Sequence, residues 1–230
     1  MSASHPRAGD LPRGDALLSN RLKEAAREML APLVRLAQRL GATPNRVTIA
    51  GFVIVVAAAG VVAAGGLLLG AVILVAGSLL DAVDGALARA TGGGTVFGSF
   101  LDSTLDRASE GILYVGIVAY LLRTSTQPLW PVLLALAALS GSFMVSYTRA
   151  KAEALGIPAS VGLAPRTERM VLVVAGIGLA GLGWEIGLIG AVGIIAALAA
   201  ATTVQRIWHV RRQIEARPTP SGIGDTAQER

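Results

Sequence analysis

The stretch Thr48–Leu80, TIAGFVIVVAAAGVVAAGGLLLGAVILVAGSLL, carries no charged residue, and it runs straight into Asp81–Arg89, DAVDGALAR. A membrane-spanning helix needs ~20 apolar residues, so the uncharged stretch holds two, with Gly65-Gly66 as the turn between them. The acids then arrive together, Asp81 and Asp84 followed by Asp102 and Asp106. One ionised side chain at the centre of a bilayer costs at least ~2.5–3.5 kcal/mol. Four of them require a cation or an aqueous cavity to take up their charge, so the same region sets the class of the protein and marks a site.

The rest of the chain follows this pattern. Hydrophobic residues make up 53% of it and charged residues 15%. Apolar windows recur at about Val47–Ala64, Leu67–Leu87, Val96–Leu122, Leu129–Tyr147, Met170–Gly183 and Ile186–Val204. They predict an all-α integral membrane protein with six transmembrane helices. The fifth window is short, and its helix is expected to begin nearer Arg166 or to be tilted. Gly181–Gly183 marks another tight turn, and abundant glycine suits close packing of membrane helices. Trp130, Trp184 and Trp208 fall near the predicted interfaces. The absence of cysteine excludes a disulfide framework and a thiolate metal site.

Four segments are expected. Residues 1–16 form a polar tail without the apolar core of a signal peptide. Residues 17–42 form a juxtamembrane amphipathic helix, with Leu18, Leu22, Ala25, Met29 and Leu33 at helical spacing; it either lies on the membrane surface or packs on the protein. Residues 43–212 form the six-helix membrane domain, and residues 213–230 a disordered tail.

The net charge is +5. Arg21, Lys23, Arg27, Arg35, Arg39 and Arg46 precede the first span, and Arg89 follows the second. Arg149, Lys151, Arg166 and Arg169 separate the fourth and fifth, and Arg206, Arg211 and Arg212 follow the sixth. The remaining loops carry little beyond Arg123 and Glu185. The positive-inside bias therefore predicts a multi-pass plasma-membrane protein with both termini and the acidic site in the cytoplasm. Because these charges sit beside membrane surfaces, the partner they suggest is the anionic lipid of the bilayer and not nucleic acid.

Asp81 and Asp84 are three residues apart and Asp102 and Asp106 four, so each pair shares one helical face. A short loop at Gly92-Gly93-Gly94 lets the two helices run antiparallel and the pairs converge. Four carboxylates make an all-oxygen site for a hard cation, Mg²⁺, Mn²⁺ or Ca²⁺, and suit a two-metal clamp with ions ~3.5–4 Å apart. Gly85, Ala88 and Gly98 leave helix surface bare beside the acids. Taken singly, Gly85 and Gly98 read as helix-packing glycines, and Asp106 beside Arg107 as an interfacial ion pair. Taken together at these spacings, they point to phosphoryl chemistry at the cytoplasmic membrane surface, between a lipid and a soluble partner.

D-x2-D-G-x2-A-R-x8-G-x3-D-x3-D, matched from Asp81 to Asp106 without a substitution, resembles the signature of the CDP-alcohol phosphotransferases. The similarity extends over about Thr43–Arg212. It implies that a CDP-linked alcohol, usually CDP-diacylglycerol, binds with its diphosphate on two Mg²⁺ ions (Mn²⁺ being an alternative), that a second alcohol attacks the lipid-bearing phosphorus, and that CMP leaves. Asp81, Asp84 and Asp102 would ligate metal, and Asp106 would be the general base and touch one ion. Asn45, Arg46, Val47 and Thr48, with Gly85, Ala88, Arg89, Thr95 and Gly98, would hold the CDP moiety. A guanidinium at Arg89 could fork two phosphate oxygens.

The segments Ser146–Glu153, Pro165–Arg169 and Val204–Arg206 are similar to those of family members that use inositol 1-phosphate. That similarity implies an acceptor-phosphate pocket of Arg149, Arg169 and Arg206, with Lys151 and Arg166, although Glu153 and Glu168 could pair with some of these. Glycerol 3-phosphate, the acceptor of a phosphatidylglycerophosphate synthase, is the alternative within the family. An ion or proton transporter is the alternative of another class; the acids lie near one membrane face, and the motif has no copy in the second half. Glycine-rich spans and the resemblance together suggest a homodimer.

Overall fold

The computed structural model of the chain describes residues 28–159, 161–163 and 165–216. The predicted tail at 1–16, the 17–27 portion of the amphipathic helix with Leu18, Leu22 and Ala25, the basic residues Arg21, Lys23 and Arg27, and residues 217–230 lie outside the described residues.

The regular structure of the described residues is entirely helical: α1 (residues 28–39), then α2 (Pro44–Ala63), α3 (Leu67–Ala90), α4 (Val96–Thr124), α5 (Leu129–Ala154), α6 (Arg166–Gly181) and α7 (Glu185–Glu215). Each of the six predicted windows coincides with one helix of α2–α7. Four of these, α2, α3, α5 and α7, are long and apolar enough to cross a membrane. Helix α4 is interrupted as an apolar segment by Asp102, Asp106, Arg107 and Glu110. Helix α6 has 16 residues, which at ~1.5 Å per residue falls short of a ~30 Å hydrocarbon core. It begins at Arg166, one of the two outcomes its short window allowed.

Helices α5 and α7 run well past the predicted windows, to Ala154 and Glu215. Hydropathy measures how long a helix stays in lipid, whereas its end is set by capping. At the end of α5, Gly156 takes φ +70°. Its N–H donates to Glu153 O at 2.9 Å, and Ile157 N–H donates to Ala152 O at 2.9 Å. This paired closure satisfies the last carbonyls and favours glycine at the left-handed position. Gly65, at φ +95°, ends α2 in the predicted turn.

The chain divides into two compact units, Met1–Phe52 with Gly77–Leu105, and Val53–Ala76 with Asp106–Arg230. In the first, Leu30, Leu33, Val34 and Ala37 of α1 pack against Val47, Val83 and Leu87. The described part of the amphipathic segment, α1, thus turns its apolar face onto α2 and α3. Its stripe differs from the expected one: Met29 is 75% exposed, because the face that docks follows 30, 33, 34 and 37.

In the second unit, Leu113 and Ile117 of α4, Ile177 of α6, and Leu188, Val192 and Ile195 of α7 share one buried cluster with Val62 and Leu74. Glycine permits the closest crossings. A Cβ on Gly116 would lie 2.5 Å from Ala59 O, and one on Gly176 would lie 2.5 Å from Ala191 Cβ. Exposed Leu68, Leu69, Val72 and Val75 on α3 form an apolar surface of the kind that lipid covers.

Candidate active site

The acids lie on the facing parts of α3 and α4. After Ala90, Gly92 and Gly93 take φ +95° and +102°, and the chain reverses into α4. Thr95 caps that helix: its Oγ1 accepts from Gly98 N–H at 2.9 Å. A Cβ on Gly98 would meet Asn45 Oδ1 at 2.9 Å and Thr95 Oγ1 at 3.0 Å. Asn45, Thr95 and Gly98, all predicted CDP contacts, are therefore brought together at the start of α4. The tight approach at Gly98 is to the Asn45 side chain of α2. At Gly85 a Cβ would meet only Arg89 Nη1, at 3.5 Å, so Gly85 is not a packing glycine.

Thr48 Oγ1 donates to Asp84 Oδ2 at 2.7 Å, and Asp84 is buried. Asp81 and Asp102 present carboxylate oxygens within 4.8 Å of each other. Asp106 follows Asp102 by one turn of the unbroken helix α4. All-oxygen donors at this spacing fit a hard divalent cation. Of the other predicted CDP contacts, Arg46 and Arg89 are exposed, Ala88 is half-buried, and Val47 is buried in the apolar cluster beneath α1.

The basic residues divide by partner. Arg166 Nη2 lies 2.7 Å from Asp106 Oδ1, while Arg107 Nη2 lies 3.4 Å from Oδ2 of the same carboxylate. Arg169, at 2% exposure, donates through Nε and Nη2 to Glu110 Oε1 at 3.2 and 3.1 Å. Arg206 donates through Nε to Val161 O at 2.8 Å and through Nη1 to Val145 O, tying α7 to α5 and to the loop before α6. Arg149 is exposed and pairs with Glu153 at 2.8 Å, the pairing the sequence allowed for. Arg149 and Arg169 are close enough to bear electrostatically on Arg206. Lys151 and Arg206 both line a groove of about 410 Å³ between the ends of α5 and α7.

Residues 42–208 match the model of the CDP-alcohol phosphatidyltransferase family. The chain is a CDP-alcohol phosphatidyltransferase. Among its relatives, the archaetidylinositol phosphate synthase of Methanothermobacter thermautotrophicus is 36% identical over 89% of this chain and 100% of its own length. The phosphatidylinositol phosphate synthase of Corynebacterium glutamicum is 34% identical over 80% of this chain and 85% of its own length. The fold is also that of the Mycobacterium tuberculosis phosphatidylinositol phosphate synthase. The crystal structure of that enzyme with CDP-DAG bound gives a TM-score of 0.74 at 34% identity, covering 80% of this chain and 94% of that one. Its complex with manganese and citrate gives 0.75 at 34% identity, covering 85% and 96%.

Within this phosphatidyltransferase one residue escaped the motif. Glu110 stands one turn beyond Asp106 on α4, 4% exposed, and holds Arg169. The signal was present as a third acid at the four-residue spacing, 102, 106 and 110, entering an otherwise apolar helix. Membership in the family also removes the transporter alternative.

Proposed function

We propose that this enzyme transfers the phosphatidyl group of CDP-diacylglycerol, or of an ether-lipid analogue, to inositol 1-phosphate, forming phosphatidylinositol phosphate and CMP. The observation that carries this reading is the match to relatives named archaetidylinositol phosphate synthase and phosphatidylinositol phosphate synthase, over 100% and 85% of their own lengths. The cations of α5, α6 and α7 are consistent with a phosphorylated acceptor.

Asp81, Asp84 and Asp102, with one oxygen of Asp106, would hold two Mg²⁺ or Mn²⁺ ions. When bound, these ions would offset the charge of the diphosphate and of departing CMP. Thr48, hydrogen-bonded to Asp84, fixes the orientation of that carboxylate. Asn45, Arg46, Thr48, Gly85, Ala88, Arg89, Thr95 and Gly98 would line the CDP moiety, with Val47 anchoring that stretch in the apolar cluster under α1 and Arg89 forking the phosphate oxygens. Asp106 accepts the proton of the attacking acceptor hydroxyl. The new O–P bond forms at the lipid-bearing phosphorus as the bond from that phosphorus to the CMP oxygen breaks. Arg149, Lys151 and Arg166 would receive the acceptor phosphate. Arg169 and Arg206, already bonded to Glu110 and to backbone carbonyls, would complete its rear wall.

The reading includes six spans, with α4 and α6 crossing alongside the four apolar helices, and places both termini and the site in the cytoplasm of a plasma-membrane protein. It also includes a homodimer. Gly60, Gly190 and Gly193 offer bare helix surface, where a Cβ would meet nothing within 4 Å, and such surfaces allow close helix approach.

The test is CMP release from CDP-diacylglycerol by purified protein with Mg²⁺, comparing inositol 1-phosphate, glycerol 3-phosphate and free inositol. Release with inositol 1-phosphate alone is expected. Preference for glycerol 3-phosphate would reassign the acceptor, and silence with all three would overturn the reading. Asp106→Asn should abolish turnover while CDP-lipid still binds; normal activity in that variant would remove the base assignment.

A further inference from the structure

Helices α4 and α6 are joined by two ionic rungs. Asp106 and Glu110 are four residues apart on α4, Arg166 and Arg169 three apart on α6, and they pair in order. The rungs differ in character. In the inner one both side chains are almost wholly buried, at 2% and 5% exposure, and Arg169 Nη2 reaches both carboxylate oxygens of Glu110, at 3.1 and 3.3 Å. Separating that pair would strand two charges away from water, so it stays closed. In the outer rung Arg166 is 26% exposed and Asp106 14%. Arg166 is also the first residue of α6, so its side chain can move by rotamer change while the inner rung keeps the helices in register.

The outer rung occupies Oδ1 of the carboxylate assigned as proton acceptor; the other oxygen, Oδ2, lies 3.4 Å from Arg107 and is the one assigned to metal. An oxygen held by a guanidinium is poorly placed to take a proton from an incoming hydroxyl. A phosphate monoester, with up to two negative charges and three acceptor oxygens, competes well for a guanidinium against a single carboxylate.

We propose that Arg166 is an exchangeable cation that covers Asp106 until the phosphate of the acceptor draws it away, so that the base becomes available only when a phosphorylated acceptor is bound. This rests on the function proposed above and gives one of its cations a second role. The consequence is protection of the CDP-lipid. Without acceptor, Asp106 is covered, and water is not activated to attack the lipid-bearing phosphorus. Were water to attack, its oxygen would bond to that phosphorus, its proton would pass to Asp106, CMP would leave, and phosphatidic acid would form. An acceptor alcohol lacking a phosphate would fail for the same reason, because nothing in it draws Arg166 off.

The experiment measures CMP release from CDP-diacylglycerol by the full-length protein with Mg²⁺ and no acceptor, with and without methyl phosphate, a monoester that has no hydroxyl to attack. Wild-type protein should hydrolyse slowly, and methyl phosphate should accelerate it severalfold. Arg166→Ala should hydrolyse several times faster than wild type without methyl phosphate, should no longer respond to it, and should show a raised KM for inositol 1-phosphate. Arg166→Gln serves the same comparison if the alanine variant fails to fold in detergent. Hydrolysis by the variants at or below the wild-type rate, or no effect of methyl phosphate on wild type, overturns the proposal. Wild-type transfer to inositol 1-phosphate is run in parallel. Its absence strikes the proposed function itself, whereas its presence without a methyl phosphate effect strikes only the exchange.

Discussion

Arg169 and Glu110 form an ion pair between α6 and α4 that is buried on both sides, Nη2 lying 3.1 Å from Oε1. Such pairs add little net stability compared with apolar replacements, but breaking one side leaves an uncompensated charge. Glu110→Gln should therefore lower stability by about 3–5 kcal/mol, read as a clear fall in Tm of the detergent-solubilised protein. The double change Glu110→Met with Arg169→Met should restore most of it. A Tm for Glu110→Gln equal to wild type would mean that the pair is not closed in the folded protein.

Gly98 and Gly85 separate two effects of adding one methyl group. In Gly98→Ala the new Cβ meets Asn45 Oδ1 at 2.9 Å and Thr95 Oγ1 at 3.0 Å, so the start of α4 must shift and both stability and CDP-lipid binding should fall. In Gly85→Ala the only neighbour is Arg89 Nη1 at 3.5 Å. That variant should melt like wild type yet bind CDP-lipid more weakly. Paired melting and CDP-lipid titrations check this, and full affinity in Gly85→Ala would remove that residue from the substrate surface.

Asp81 and Asp102 should act as one unit toward metal. Asp102→Asn and Asp81→Asn should each weaken Mn²⁺ binding by at least tenfold, and the double variant by little more, since removing either ligand disrupts the shared site. Mn²⁺ titration followed by paramagnetic resonance measures this directly. Chelation of divalent ions should stop wild-type turnover, and their return should restore it.

Gly116 tests the α2–α4 crossing. A Cβ there would lie 2.5 Å from Ala59 O, too close for backbone to tolerate. Gly116→Ala should cost about 1–3 kcal/mol, the usual range for overpacking, whereas Gly60→Ala, with nothing within 4 Å, should be nearly neutral in a monomer. Equal melting of the two variants would count against this crossing.

The acidic site was legible because its information is local. Asp81, Asp84, Asp102 and Asp106 lie on two consecutive helices with a glycine loop between them, so spacing alone puts Asp81 near Asp102. The basic residues were legible only as a population. Arg149, Arg166, Arg169 and Arg206 come from three helices, and whether each meets a substrate, an acid or a carbonyl depends on how those helices are rotated about their axes. Glu110 lies outside the motif, which ends at Asp106, although the same four-residue spacing continues to it.

The sequence by itself determined that this is a membrane protein built of apolar helices, where those helices begin, and that Asp81 approaches Asp102, because hydropathy, glycine turns and helical periodicity act within one or two neighbouring elements. Only the tertiary structure decided that α1 docks on Val47, Val83 and Leu87, that Arg169 is spent on Glu110, and that Arg166 lies against Asp106. These depend on which faces of distant helices meet. That choice follows from the packing of the whole set of side chains, and no single stretch of the chain encodes it.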